Sequence, residues 1–393
     1  MPYVVCLEDS MPAEIAPDFL SKLHYISESV TGFAFEGATL DRVRFDLKPG
    51  FTDAQTVSDR IAATARKMCR GYRPAEQKIL KSRSLRPGSY VEDPHAELEL
   101  RGDLFRFGPG RYGLGPRLVE LVEVFDNRLR ELARAFSASP FQFPSLIGAE
   151  ALQRCKYLRS FPHSLNFVAH LREDVGAIQH FADNVTWNDN HLRVDGTDLA
   201  EIKTMLAPSI CFHYYNQLQD RVLLEPSTVT GIGKCFRYES GNLRGLERLW
   251  DFTMREVIFV GSKEYVLSER EKSLELTALI FDEWELAYEI RSATDPFFIE
   301  EFASQSRFQL AFDLKFEIRA DLPYKNDSLA AGSFNFHQDF FGRSFNINDA
   351  AGRPVNTGCI GFGLERLALA FVAQHGFDRQ DWPASIADLI VER

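Results

Sequence analysis

The chain has 393 residues, with 45 basic against 56 acidic side chains and a net charge of −11. That length supplies material for two or three domains of about 100–200 residues each. The acidic balance argues against a protein that binds nucleic acid over its whole surface, while leaving room for a local basic patch.

Six cysteines, at 6, 69, 155, 211, 235 and 359, show no paired spacing, and the start MPYVVCLEDSMP has neither a basic n-region nor an uninterrupted apolar stretch. No run approaches the roughly 20 apolar residues of a membrane helix. A reduced, cytoplasmic protein without membrane contact is expected.

Taken in order, residues 1–90 read as a small α/β module: an apolar start from Tyr3 to Leu7, a strand within 41–50, and a helix opening after Thr52 and running to about Cys69. From Arg60 to Arg86 there are nine basic residues (60, 66, 67, 70, 73, 78, 81, 83 and 86) against one acid, Glu76. The default reading is a solvated linker; the alternative is a docking patch for an acidic partner. After the turn GPGRYGLGP, Leu118, Leu121, Val122, Phe125, Leu129, Leu132 and Ala133 predict a long helix over 117–136. From about 140 onward strands and helices alternate without another linker, so the division is 1–90 and 91–393.

Three later stretches carry polar groups at strand spacing. In KCFRYES, alternation puts Cys235, Arg237 and Glu239 on one face, and in RLWDFTMREVIFVG it aligns Arg248, Phe252, Met254, Glu256 and Ile258. The loop SGNLRGLE between them carries Arg244, which predicts two antiparallel strands joined by an arginine-bearing loop. In TGCIGFGLERLALAFVAQHG, Cys359, Gly361 and Gly363 share a face, and a helix follows to Gly376 with Arg366 in its first turn. A cation there opposes the helix dipole, so Arg366 is either an exposed arginine or the ligand of an anion. The stretch 307–322 reads as one strand, with Leu310, Phe312, Leu314, Phe316 and Ile318 inward and Asp313, Lys315 and Glu317 outward; Lys315 either approaches substrate or, the preferred reading, lies on the surface. APSICFHYY, with Cys211, also reads as strand-like.

Arg237-x-Glu239 followed by Arg248-xxx-Phe252-xxx-Glu256 resembles motif 2 of class II aminoacyl-tRNA synthetases, and Gly361-Phe-Gly363-Leu-Glu365-Arg366 resembles their motif 3. The resemblance covers about residues 140–390 and implies an α+β fold: a catalytic domain built on an antiparallel sheet flanked by helices, with the small N-terminal module outside it. Motif 1, the proline-ended dimer element, has candidates ending at Pro162 or Pro208. The family's chemistry implies ATP and Mg2+, with Arg237 on the α-phosphate, Glu239 on the adenine amino group, Phe252 stacked on adenine, Arg366 on the γ-phosphate, and Arg244 or Arg248 helping to place the nucleotide. Gly361 and Gly363 would leave clearance for it. Leu329, Ala330 and Ala331 stand where seryl-tRNA synthetases carry a metal-binding glutamate, which leaves open how Mg2+ is held.

Cys211, Glu256 and Cys359 resemble the zinc site of atypical seryl-tRNA synthetases and, more closely, of bacterial amino acid:[carrier protein] ligases, and the stretches QFPSLIGAEAL, YLRSFP, TDPFF, SFNFHQDFFG and TGCIGFGLERLALA resemble that second group. Each cysteine could instead be a small core residue, and Cys235 and His213 are competing ligands. The second group implies Zn2+, a small amino acid bound near Asn335 and His337, a phosphopantetheinylated carrier protein in place of tRNA, and a homodimer. A seryl-type tRNA synthetase, for which 90 residues are thin provision of RNA-binding surface, and a non-catalytic synthetase paralogue are the rivals.

Overall fold

The computed structural model describes residues 2–72, 77–297 and 302–390. The first part of the chain forms a three-stranded antiparallel sheet of β1 (Tyr3–Cys6), β2 (Val30–Phe35) and β3 (Arg42–Leu47), in the order β1-β3-β2. Against it lie α1 (Ala16–Leu23) and α2 (Ala54–Cys69), the latter started by Asp53, whose carboxylate accepts from the Thr56 N–H at 3.0 Å. Phe19, Leu23, Phe45, Ile61 and Met68 close this small core, and Phe302 from the far side of the chain enters it.

The rest is organised on one eight-stranded sheet. Its members are β4 (Ile79–Arg83), β5 (Ser139–Phe141), β6 (Ser227–Phe236), β7 (Asp251–Gly261), β8 (Tyr288–Ser292), β9 (Lys315–Leu322), β10 (Asp327–Gln338) and β11 (Asn356–Gly363). The spatial order is β4-β8-β9-β10-β11-β7-β6-β5. Every junction is antiparallel except β6 with β5.

Strand alternation divides the side chains between two apolar layers. Val257, Phe259, Ile318, Phe334, Ile360 and Phe362 join a core with α3 (Pro116–Arg134), α5 (Lys263–Glu283) and α7 (Leu364–His375). Ile258, Val260 and Cys359 point the other way, into a core shared with α4 (Cys211–Gln217). The glycine floor therefore faces away from the three long helices. As its spacing predicts, α7 stops at Gly376, held at φ 71°.

A buried ion pair fixes α3 to the sheet. Arg255 Nε and Nη2 each donate to an Asp126 carboxylate oxygen at 2.7 Å, and the two residues are only 4% and 7% exposed. Asp126→Ala would leave the guanidinium buried without its partner. It is expected to destabilise the fold by about 3–5 kcal/mol, read from the denaturation midpoint; a loss under about 1 kcal/mol would show that water takes over.

Three expectations are corrected. Residues 307–322 are not one strand: α6 (Phe302–Ala311) occupies the first part, Asp313 turns the chain at φ 50°, and β9 begins only at Lys315. APSICFHYY is helical from Cys211, an apolar run too short for periodicity to separate the two states. The basic run is not a solvated linker. Arg60, Arg66 and Lys67 lie on α2, while Lys78 pairs with Asp313 at 2.6 Å, Lys81 with Asp282 at 3.2 Å and Arg86 with Glu285 at 2.8 Å, along a strand that joins the large sheet. Arg73 and Glu76, like Phe298 of TDPFF, lie outside the described residues.

Candidate active site

Cys211, Glu256 and Cys359 meet although they come from one helix and two strands. Their ligand atoms lie within 4.8 Å of one another, and all three residues are buried. Antiparallel pairing sets Glu256 opposite Gly361 and Ile258 opposite Cys359, so the carboxylate and the thiol share a face two residues apart. The start of α4 completes the group: Glu256 accepts from the Ile210 and Cys211 N–H groups at 3.1 and 3.0 Å and from Ser209 Oγ at 2.8 Å. Cys235, fully buried, is not part of the trio. Nor is His213, which stacks on Phe143 with ring centroids 5.6 Å apart; two helical residues on from Cys211 it faces elsewhere.

The donor set suits a soft divalent cation. Burial, then the Cys359 sulfur, push the Glu256 carboxyl up to about 7. Cys359 is the thiol held toward its anion, by a hydrogen bond from Cys211 and by His337 and Asn335; burial pushes Cys211 up. Asn335 Nδ2 lies 3.5 Å and His337 Nε2 3.9 Å from the Cys359 sulfur, so both expected substrate-binding residues stand beside the trio. A bound cation would offset the negative charge that these buried groups otherwise resist.

Adjoining the trio is a cleft lined by Arg237, Glu239, Phe252, Met254, Gly361, Gly363 and Arg366. Arg237 is fixed by its Nε–H to the Pro208 carbonyl at 3.0 Å, with its guanidinium carbon 5.4 Å from the Phe252 ring centroid. Arg366 donates to the carbonyls of Glu247 at 2.8 Å and Ala330 at 3.1 Å. Burial pushes Arg366 down to about 10, and Arg248 and Arg237 push the same way. Clustered guanidiniums that repel one another favour an anion between them. Arg248 holds Glu239, which lines the cleft, at 2.9 Å, while Arg244 is exposed on the loop. Glu365 is turned inward, accepting from the Thr253 N–H and hydroxyl.

Lys315 corrects the sequence reading. It is 8% exposed, lines the cleft with Glu317, and binds Asp295 Oδ1 at 2.6 Å and Glu317 at 3.3 Å. The face expected to meet solvent is the site's own face, because both sides of the sheet are covered. Ser209 and Asp295 were also missed. Met254, aligned with Phe252 by parity but given no role, lines the cleft; nothing in sequence ties Asp295 to Lys315. Of the motif 1 candidates, Pro162 opens a one-turn helix and Pro208 lies in a loop.

A family model, the tRNA synthetase class II core domain (G, H, P, S and T), matches residues 195–375. The amino acid–[acyl-carrier-protein] ligase 2 of Bradyrhizobium diazoefficiens is 33% identical over 296 residues, covering 72% of this chain and 83% of that protein. The type-2 serine–tRNA ligase of Methanopyrus kandleri is 29% identical over 318 residues, covering 77% of this chain but 60% of that protein. The fold is also that of M. kandleri SerRS solved in complex with A. aeolicus tRNASec, with a TM-score of 0.73 at 24% identity over 99% of this chain and 77% of that one. This chain therefore belongs to the ligase family, built on the class II aminoacyl-tRNA synthetase core, that unites amino acid–[acyl-carrier-protein] ligases with type-2 serine–tRNA ligases.

Proposed function

We propose that the protein activates a small amino acid with ATP and passes it to the phosphopantetheine thiol of a carrier protein. The observation that carries this reading is the buried Cys211, Glu256 and Cys359 trio sharing the Phe252, Met254 and Gly361 wall with the arginine-lined cleft. Arg237 and Arg366 would hold the α- and γ-phosphates, Phe252 would stack on adenine, and Glu239, steadied by Arg248, would accept from the adenine amino group. Zn2+ held by the trio would take the substrate's amino group and leave its carboxylate free. That carboxylate attacks the α-phosphorus in line, pyrophosphate leaves, and the carrier thiol then attacks the adenylate carbonyl to give a thioester and AMP. Arg237 supplies positive charge where the transition state gathers negative charge.

Magnesium would enter with the nucleotide, since residues 329–331 bear no carboxylate. Of the acids lining the cleft, Glu317 is ion-paired to Lys315 and Glu365 is held by Thr253. The dimer element is best assigned to α3 running into β5, whose Pro140 sits on the sheet's edge strand; sedimentation should then report a homodimer. Six free thiols suit a reducing cytoplasm.

The greater coverage of the carrier-protein ligases favours a carrier over tRNA as acceptor. Amino-acid-dependent pyrophosphate exchange, followed by transfer assays offering a phosphopantetheinylated carrier and tRNA side by side, tests the reading. A thioester on the carrier is expected; an aminoacyl-tRNA product would establish the seryl-type alternative, and absence of both exchange and bound zinc would leave a non-catalytic paralogue. Gly361→Ala is a milder test. Its Cβ would stand 2.8 Å from Met254 Cε, and the flexible thioether would be pushed into the cleft. A raised KM with little change in melting temperature is expected.

A further inference from the structure

The N-terminal unit has no part in the chemistry above, yet α1 and its C-cap His24 touch two loops adjacent to residues that line the cleft. Lys22, 3% exposed, donates from Nζ to the Pro296 carbonyl at 3.0 Å. The residue before Pro296 is Asp295, the acid that holds Lys315 in the cleft wall. On the other side, the Ser21 carbonyl accepts from Asn242 Nδ2 at 3.1 Å, and Ser240 Oγ reaches the His24 carbonyl at 3.5 Å. Residues 240–242 directly follow Glu239 in the loop between β6 and β7. Gly241 fits there only because it lacks a side chain: a Cβ would lie 2.2 Å from His24 Nδ1.

Two active-site loops, far apart in sequence, are thus held by one helix of a separate core. Lysine is almost never this buried without a role that repays its desolvation, and burial pushes Lys22 down to about 8 against the opposing pull of Asp18. Apolar packing through Phe302 would suffice to dock the unit; it would not require a lysine aimed at the loop of Asp295.

From these contacts we infer that the N-terminal unit completes the nucleotide site, with α1 clasping the loops at 240–242 and 293–297 and Lys22 acting as its positioning residue. The inference rests on the adenylation reading for its kinetic consequence and on ATP binding for an independent one.

The test uses the full chain carrying Lys22→Met, Lys22→Arg or Asn242→Ala. Displaced positioning groups cost catalysis out of proportion to their distance. The KM for ATP is therefore expected to rise about tenfold in Lys22→Met, and to rise in Asn242→Ala, while the amino-acid KM and bound zinc stay unchanged; Lys22→Arg should recover most of the loss. Asn242 lies on a surface loop, so its variant decides the matter should Lys22→Met not fold. Calorimetric ATP affinity is measured alongside. Affinity equal to wild type in the folded variants, with unchanged KM, overturns the clasp. Wild-type protein that binds ATP without supporting exchange counts against the adenylation reading while a weakened variant affinity still upholds the clasp; no ATP binding in wild type overturns both.

Discussion

Cys211→Ser is expected to strip the protein of zinc, from about one ion per chain to a small fraction of that, and to lower amino-acid-dependent pyrophosphate exchange by at least about 100-fold. The serine oxygen is a poor substitute for a soft thiolate, and only Glu256 and Cys359 would remain. Glu256 is the more telling partner. Its carboxylate is fully buried, accepts from two backbone N–H groups and Ser209, and without a cation is pushed toward protonation. Cys235→Ser is the matched control, since that buried thiol lies outside the trio; it should keep zinc at some cost in stability. Zinc retained by Cys211→Ser, or exchange surviving its loss, would end the role assigned to the metal.

Arg237→Ala should lower kcat for exchange by about 10²- to 10³-fold, the usual cost of removing one preorganised donor from developing charge, while leaving bound zinc intact. Arg237→Lys should be little better. The guanidinium is held between the Pro208 carbonyl and the Phe252 ring, and a flexible ammonium reproduces neither contact. Arg366→Ala should act differently, chiefly on the KM for ATP, because the group it is assigned to hold is already charged in the ground state. Near-normal kcat for Arg237→Ala would contradict its placement on the α-phosphate.

Much of the site could be read from the chain because strand alternation is a local rule. Phe252 and Glu256 share a face whatever the sheet around them does, and so do Cys359, Gly361 and Gly363. Motif resemblance then joined these segments before any contact was known. The same alternation misled at Lys315: it assigned the residue to the face opposite Phe316 and Ile318 correctly, but whether that face meets water or a second layer is not a local property. Residues 307–311 and APSICFHYY failed for another reason, since short apolar runs fit helix and strand alike and packing decides between them.

By itself, then, the sequence determined the motif 2-like and motif 3-like segments, the parity of their side chains and the helices α2, α3 and α7, all of which depend on spacing along one segment, while the three metal-ligand candidates came from the family resemblance. Only the tertiary structure decided that Cys235 and His213 stand aside from Cys211, that the basic strand Ile79–Arg83 closes the large sheet, and that Lys22 reaches the loop of Asp295 some 270 residues away. Those choices turn on which surfaces exclude water together, and no segment carries that information alone.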